Sequence, residues 1–174
     1  MNYLNLYIAE FRALNVHRTG GEVAPHKAIL VLSVIDLIET GHIYRNRVYL
    51  DDTLQHKFKE LWRLYVPSTS KFRCSIAYPF FHLGNDKFWH LVPSYEYVKQ
   101  SSYSSIISVQ KNFECAMIDQ DLFDILKQPS GREVLRNELI SAFLTNTQWQ
   151  KLITTPYGPD QDSQDAPVDE DDDG

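Results

Sequence analysis

The sequence predicts an α+β fold, a mainly helical single domain with one or two small β-hairpins. Apolar residues recur at helical spacing in several separate segments, and the run AILVLSVIDLIET is apolar on nearly every side. Short apolar runs on either side of polar or glycine-containing stretches indicate the hairpins. No regular alternation of strands and helices supports a doubly wound sheet. A chain of 174 residues, 43% of them hydrophobic, is long enough to bury one core.

Five segments are predicted as helices. They are residues 3–14, the buried run from Pro25 to a stop at Gly41, residues 52–65, residues 119–127, and a last helix through Leu144. Asp51 or Asp52 is the expected N-cap of the third helix. The spacing Ser130-Gly-Arg-Glu133 is typical of a capping box that opens the last one. Residues 94–112 match no element.

Two segments are predicted as β-structure. HIYRNRVYL at 42–50 is expected to form a small hairpin or an irregular β-ribbon. FFHLGNDKFWHLV at 80–92 is expected to form two strands joined at Gly84-Asn85-Asp86, and Pro79 would open the first strand.

The charge distribution divides the chain into a body and a tail. Eight of the 23 acidic residues lie in the last 15 positions, which contain no basic residue. Residues 1–159 carry 17 basic side chains against 15 acidic ones, so the body is mildly basic although the whole chain has a net charge of -6. We therefore predict a domain at 1–157 and an acidic, disordered tail at 158–174. A mildly basic body permits nucleic-acid binding without requiring it.

Several classes of protein are excluded by missing patterns. No apolar run is long enough to span a membrane, and the N-terminus is typical of a helix and not of a signal peptide. Two cysteines are too few for a disulfide scaffold, and a cytoplasmic location is expected. Phosphate loops, nucleophile elbows and zinc-protease motifs are missing, so we expect no enzyme activity and no cofactor. His82 and His90 could face each other across the predicted hairpin, but no third ligand is spaced to complete a metal site.

The segment Ala24-Pro25-His26-Lys27 precedes the apolar helix and is a candidate anion site. Free backbone N–H groups and the helix dipole favour an anion at a helix N-terminus. Two cationic side chains there oppose the dipole, which suggests that an external anion binds. The alternative is an ordinary solvated first turn.

The segment Tyr78-Pro79-Phe80-Phe81-His82 is a candidate apolar contact surface. Tyr78 and Pro79 together could form a rigid apolar face. Lys71 and Arg73, in the polar loop just upstream, could contact phosphates. The alternatives are ordinary core packing, which is expected for one of the two phenylalanines, and a solvated loop.

Together these segments resemble a known family. The sequence is similar to the sulfur-binding N-terminal domain of bacterial HNH-type, phosphorothioate-dependent type IV restriction endonucleases. The similarity lies in the order of its motifs, which are A-P-H-K, a long apolar helix, Trp62, Y-P-F-F-H-L and F-W-H-L. The resemblance covers roughly residues 4–150. It implies a module that binds duplex DNA in which sulfur replaces a non-bridging phosphate oxygen.

The resemblance also implies which residues bind the DNA. Those placed at the sulfur and its phosphate are Pro25, His26, Lys27, Tyr78, Pro79, Phe80 and His82, and those placed on the backbone are Lys71 and Arg73. Lys27 stands at a position where the family carries lysine or arginine, and His82 stands where a smaller residue is expected in some members. The family's HNH cleavage domain is not in this sequence, so we expect a stand-alone reader or a piece of a nuclease, with an HNH domain or a second copy as partner.

Two other functions remain open from the sequence. The same fold could bind unmodified or base-modified DNA, and it would then show no preference for sulfur. The chain could instead be a protein-interaction subunit of a nuclease system, in which exposed aromatic residues and the acidic tail contact a partner.

Overall fold

The computed structural model describes residues 2–145, and these form the α+β fold that the sequence predicts. The α-helices of this part are α1 (Tyr3–Arg12), α2 (His26–Glu39), α3 (Asp52–Tyr65), α4 (Ala77–His82), α5 (Ile106–Asn112), α6 (Gln120–Leu126) and α7 (Pro129–Leu139). The strands are β1 (Arg18–Thr19), β2 (Glu22–Val23), β3 (Trp89–Pro93) and β4 (Phe113–Ile118). None of the described helices has the length and hydropathy needed to cross a membrane.

Helix α2 is the centre of the core. Its side chains are buried from Lys27 to Ile35 without interruption, and it packs against α3, α4, α6 and α7. Pro25 is the N-cap of α2, one position before the first turn in which it was predicted, and Gly41 follows the C-cap Thr40 with a φ of +83°. That left-handed conformation suits glycine and ends the helix.

Helix α3 confirms the predicted capping and amphipathic face. The side chain of Asp51 accepts a hydrogen bond of 2.9 Å from the backbone N–H of Leu54, so Asp51 and not Asp52 is the N-cap. Apolar residues at helical spacing, including Phe58 and Trp62, are buried against α2. This packing places Trp62 near the first turn of α2.

The predicted hairpin over 80–92 is wrong. Its first half forms α4 and a 3₁₀ turn at Leu83–Asn85, and its second half forms β3. The partner of β3 is β4, in an antiparallel register that pairs Trp89 with Ile118. The pairing strand β4 directly follows residues 94–112, which match no element in the sequence, so the hairpin signal indicated a local partner that the structure does not have.

Residues 42–50 form irregular backbone and not a hairpin. A single antiparallel bridge joins Val48 to Ala116. The side-chain amide of Asn46 donates to the carbonyl of Ile118 at 2.6 Å and accepts from its N–H at 2.9 Å. This loop therefore continues the edge of the β3–β4 sheet through one side chain and one bridge.

The last predicted helix exists, but its capping box does not. Helix α7 starts at Pro129 with Gln128 as N-cap, so Ser130 lies inside the first turn. Proline is preferred at that first position because its missing N–H would have no partner there. A π-helical turn, Ile140–Leu144, continues the helix to Leu144, which is the predicted end. The predicted boundary at 157/158 and the acidic tail lie outside the described residues.

Candidate functional site

The first turn of α2 presents His26 to the surface next to the loop that precedes α4. The ring atom Nε2 lies 2.6 Å from the backbone carbonyl of Arg73 and donates to it, so the bare nitrogen of the neutral ring is Nδ1. Nδ1 is buried and has no hydrogen-bond partner within residues 2–145. Burial lowers the pKa of His26, and the bond to the Arg73 carbonyl opposes this shift. The ring is therefore neutral at physiological pH.

Aromatic side chains surround His26. Its ring centroid lies 4.8 Å from that of Trp62, 5.8 Å from that of Phe72 and 6.1 Å from that of Tyr78. The ring of Tyr78 in turn packs on His82 at 4.2 Å. We call these five residues the aromatic site. The structure thus brings together His26, Tyr78 and His82, which the sequence placed in one site.

Helix α4 determines which side of the Tyr78 segment faces outward. Tyr78 is 47% exposed, and Pro79 beside it is buried in the first turn, where its missing N–H costs nothing. Pro79 therefore lies in a helix and does not open a strand. Phe80 is buried in the core with its ring edge against Trp89 at 5.5 Å, which leaves it no face for a ligand.

Lys27 lies in an unexpected environment. It is 5% exposed, and its ammonium lies 2.6 Å from a carboxylate oxygen of Asp86 and 2.8 Å from the carbonyl oxygen of Asn15. Burial lowers the pKa of His82, and the positive charge of Lys27 lowers it further. A direct contact from Lys27 to a bound phosphate remains a prediction, and it would require breaking a buried ion pair.

A basic rim lies beside the aromatic site. Lys71 and Arg73 are exposed in the loop between α3 and α4, and the carbonyl of Arg73 holds His26. The carboxylate of Glu22 in β2 accepts from the backbone N–H of Lys71 at 3.2 Å, which ties this loop to the β1–β2 hairpin. Arg18 in β1 is exposed on the same hairpin. We use "basic rim" for Arg18, Lys71 and Arg73.

The β1–β2 hairpin was not predicted from the sequence. Gly20 and Gly21 form its turn with φ values of +55° and +79°. A pair of glycines is a known signal for a two-residue hairpin turn, so the pattern was sufficient to predict it. The positive φ is what favours glycine at position 20, because the Lys71 ammonium that a Cβ there would meet at 2.2 Å is the flexible end of an exposed side chain and can move.

The two histidines considered for a metal site do not face each other. His82 belongs to the aromatic site, whereas His90 in β3 lies 2.6 Å from a carboxylate oxygen of Asp119. The other oxygen of Asp119 accepts from the hydroxyl of Tyr7 at 2.9 Å. Across residues 2–145 no group of three or more histidine, cysteine or acidic side chains is arranged to hold a metal ion.

Comparisons with known proteins identify a family and a similar fold. A family model described as "ScoMcrA-like, DNA sulfur-binding domain" matches residues 5–155. A solved structure, "Sulfur binding domain of ScoMcrA complexed with phosphorothioated DNA", has the same fold with a TM-score of 0.61 and 17% sequence identity. The match covers 79% of this chain and 86% of that one. No curated protein shows significant similarity to the chain.

Proposed function

This chain belongs to the ScoMcrA-like DNA sulfur-binding domain family, and we propose that it is a non-catalytic module that binds duplex DNA with a phosphorothioate backbone. The observation that carries the proposal beyond family membership is the aromatic site. It places a half-exposed tyrosine ring, Tyr78, beside a neutral histidine, His26, at the N-terminus of a buried helix. These groups suit an anion that has one soft, weakly hydrated atom.

The aromatic site favours sulfur over oxygen for two reasons. Sulfur is large and polarizable, so it gains dispersion contacts with the half-exposed ring of Tyr78. A phosphate oxygen holds its water more strongly, and it would lose hydrogen bonds against the same apolar surface. Selectivity therefore comes partly from rejecting the oxygen of ordinary DNA.

The rest of the phosphate needs polar partners, and the first turn of α2 provides them. Among the described residues no side chain caps this helix, so its first backbone N–H groups have no side-chain acceptor. The positive end of the helix dipole lies at the same point. We propose that the phosphorothioate group lies with its sulfur toward Tyr78 and its charged oxygens toward this helix terminus.

The basic rim supplies the part of the affinity that does not depend on sulfur. Arg18, Lys71 and Arg73 are exposed on neighbouring segments beside the aromatic site. Such side chains neutralise backbone phosphates and release counterions, so binding through them weakens as salt increases. They position the duplex without reading its sequence.

We propose further that the domain binds DNA without cleaving it. His26 is the candidate base in the site through its bare Nδ1, but no hydroxyl or thiol within residues 2–145 is hydrogen-bonded to that atom, so the ring has no nucleophile to activate. The biological setting we propose is the restriction of phosphorothioated DNA in a bacterial cytoplasm, where that DNA lies.

The test is a fluorescence-anisotropy titration with paired duplexes that differ by one backbone sulfur, over several core sequences and two salt concentrations. We expect tighter binding to the sulfur-containing duplex, with a preference that persists at the higher salt. Equal binding to both duplexes of every pair would contradict the proposal and leave a general DNA-binding module. Binding to neither would favour a protein-interaction role.

A further inference from the structure

One buried ion pair connects the two halves of the aromatic site. Lys27 follows His26 in α2, and Asp86 follows the 3₁₀ turn that ends α4, the helix of Tyr78. Their charged atoms lie 2.6 Å apart, and the two side chains are 6% and 8% exposed. The pair therefore joins the helix that carries His26 to the helix that carries Tyr78.

A third segment is bound to the same pair. The backbone N–H of Asn15, after α1, donates to the second carboxylate oxygen of Asp86 at 3.1 Å. The carbonyl oxygen of Asn15 accepts from the Lys27 ammonium at 2.8 Å. Both oxygens of Asp86 and two donors of Lys27 are thus used within the protein, and the network closes on three segments.

A phosphate could bind the Lys27 ammonium only if Asp86 were left buried without its cation. Separating a buried pair in this way is strongly unfavourable, because the remaining charge loses both its water and its partner. The exposed cations of the basic rim reach phosphates without that penalty. The lysine of the A-P-H-K segment is therefore poorly placed as a phosphate ligand.

We propose that Lys27 and Asp86 are positioning residues that fix the spacing between His26 and Tyr78, and that Lys27 does not bind phosphate. The proposal rests on the proposed function of the aromatic site. The pair holds the ring centroids of His26 and Tyr78 at their separation of 6.1 Å. Loosening it changes the fit to sulfur more than it changes the attraction to phosphates.

The test compares Lys27→Met, Asp86→Asn and Lys71→Met on the paired duplexes across a range of salt concentrations. A lysine that contacts phosphate contributes about 0.9 to the slope of log K against log salt. We expect Lys71→Met to flatten the slope by that amount and to keep the ratio of sulfur to oxygen affinity. We expect Lys27→Met to keep the slope and to lower the ratio by about fivefold, as for one lost coupled contact.

Asp86→Asn separates the two roles by the sign of its effect. If Lys27 bound phosphate, this change would free the ammonium, remove a negative charge and strengthen binding to both duplexes. If Asp86 is a positioning residue, Asp86→Asn should lower the ratio of sulfur to oxygen affinity. The asparagine keeps the shape and an acceptor for Asn15, so this variant also tests the proposal if Lys27→Met does not fold.

Tighter binding of Asp86→Asn to both duplexes, or a flatter slope for Lys27→Met, would overturn the positioning role. The proposed function is judged separately, by the sulfur preference of the unchanged protein. If that preference is missing, the salt slopes of the variants on unmodified DNA still decide whether Lys27 contacts phosphate.

Discussion

Replacing Tyr78 by alanine should reduce the discrimination between sulfur and oxygen more than it reduces DNA binding itself. The side chain is 47% exposed and packs on His82 at a centroid distance of 4.2 Å, so an outer face is available to a ligand. A sulfur atom on this face meets about six ring carbons, and at 0.1–0.2 kcal/mol per contact it gains about 1 kcal/mol.

The same change lets water reach the phosphate oxygen of ordinary DNA, which relieves a desolvation penalty of about 1 kcal/mol. Together the two effects amount to about 2 kcal/mol, which lowers the sulfur-to-oxygen affinity ratio by about 30-fold. The assay is anisotropy on the paired duplexes at one fixed salt concentration. Denaturant unfolding of the variant checks that the fold is retained.

Two control variants make the result specific. Tyr78→Phe keeps the ring and should leave the ratio within about twofold, because only the hydroxyl is lost. Tyr44→Ala removes a tyrosine that is 72% exposed, but that residue follows the C-terminal end of α2. Helix α2, which is 14 residues or about 20 Å long, lies between His26 at its start and the loop that carries Tyr44. Equal losses on both duplexes for Tyr78→Ala would refute the contact between this ring and sulfur.

Three further predictions concern stability. Gly131→Ala should destabilise the domain by about 2 kcal/mol in a urea titration, despite the better helix propensity of alanine, because the new Cβ would lie 2.2 Å from the carbonyl oxygen of Ile125. The control Ser130→Ala, at the exposed neighbouring position, should change the free energy of unfolding by less than about 0.5 kcal/mol. Asp51→Ala should cost about 1 kcal/mol through the lost N-cap of α3, and Asp51→Ser should recover most of it; an unchanged urea midpoint for the alanine variant would contradict the capping role. Burial lowers the pKa of His26 in the folded state, so the unfolded chain takes up the proton first as the pH falls. The stability that this residue contributes is therefore complete above the ordinary histidine pKa of about 6.5, falls as the pH drops below that value, and levels off below the folded-state pKa. Thermal unfolding between pH 7.5 and 5 should show this fall in melting temperature for the unchanged protein and not for His26→Gln.

Local patterns predicted most of the helical architecture. The periodicity of α1 and α3 and the apolar run of α2 identified these helices, and Asp51 and Gly41 marked the ends where caps were expected. These signals depend on neighbours within a few positions in the chain, so they can be read from the sequence. The fold class followed from them.

The pairing of strands that are distant in the chain could not be predicted from such local patterns. The segment from Phe80 to Val92 contains aromatic residues around Gly84-Asn85, which is typical of a hairpin, yet its strand pairs with residues 113–118. Phe80 belongs to the core for the same reason, since α4 turns it toward Trp89. A strand's partner depends on the packing of the whole domain, which local propensity does not contain.

The fold class and the buried central helix can be predicted from the order of residues, as can the two short segments, A-P-H-K and Y-P-F-F-H-L, that resemble the family. The roles of the individual side chains in those segments depend on how the domain packs. This packing left Tyr78 half exposed beside a neutral His26, and it placed Lys27 in a buried pair with Asp86, 59 positions away. The physical reason is that residue type sets the available chemistry, whereas burial and the nearest opposite charge determine whether that chemistry is offered to a ligand or used within the protein.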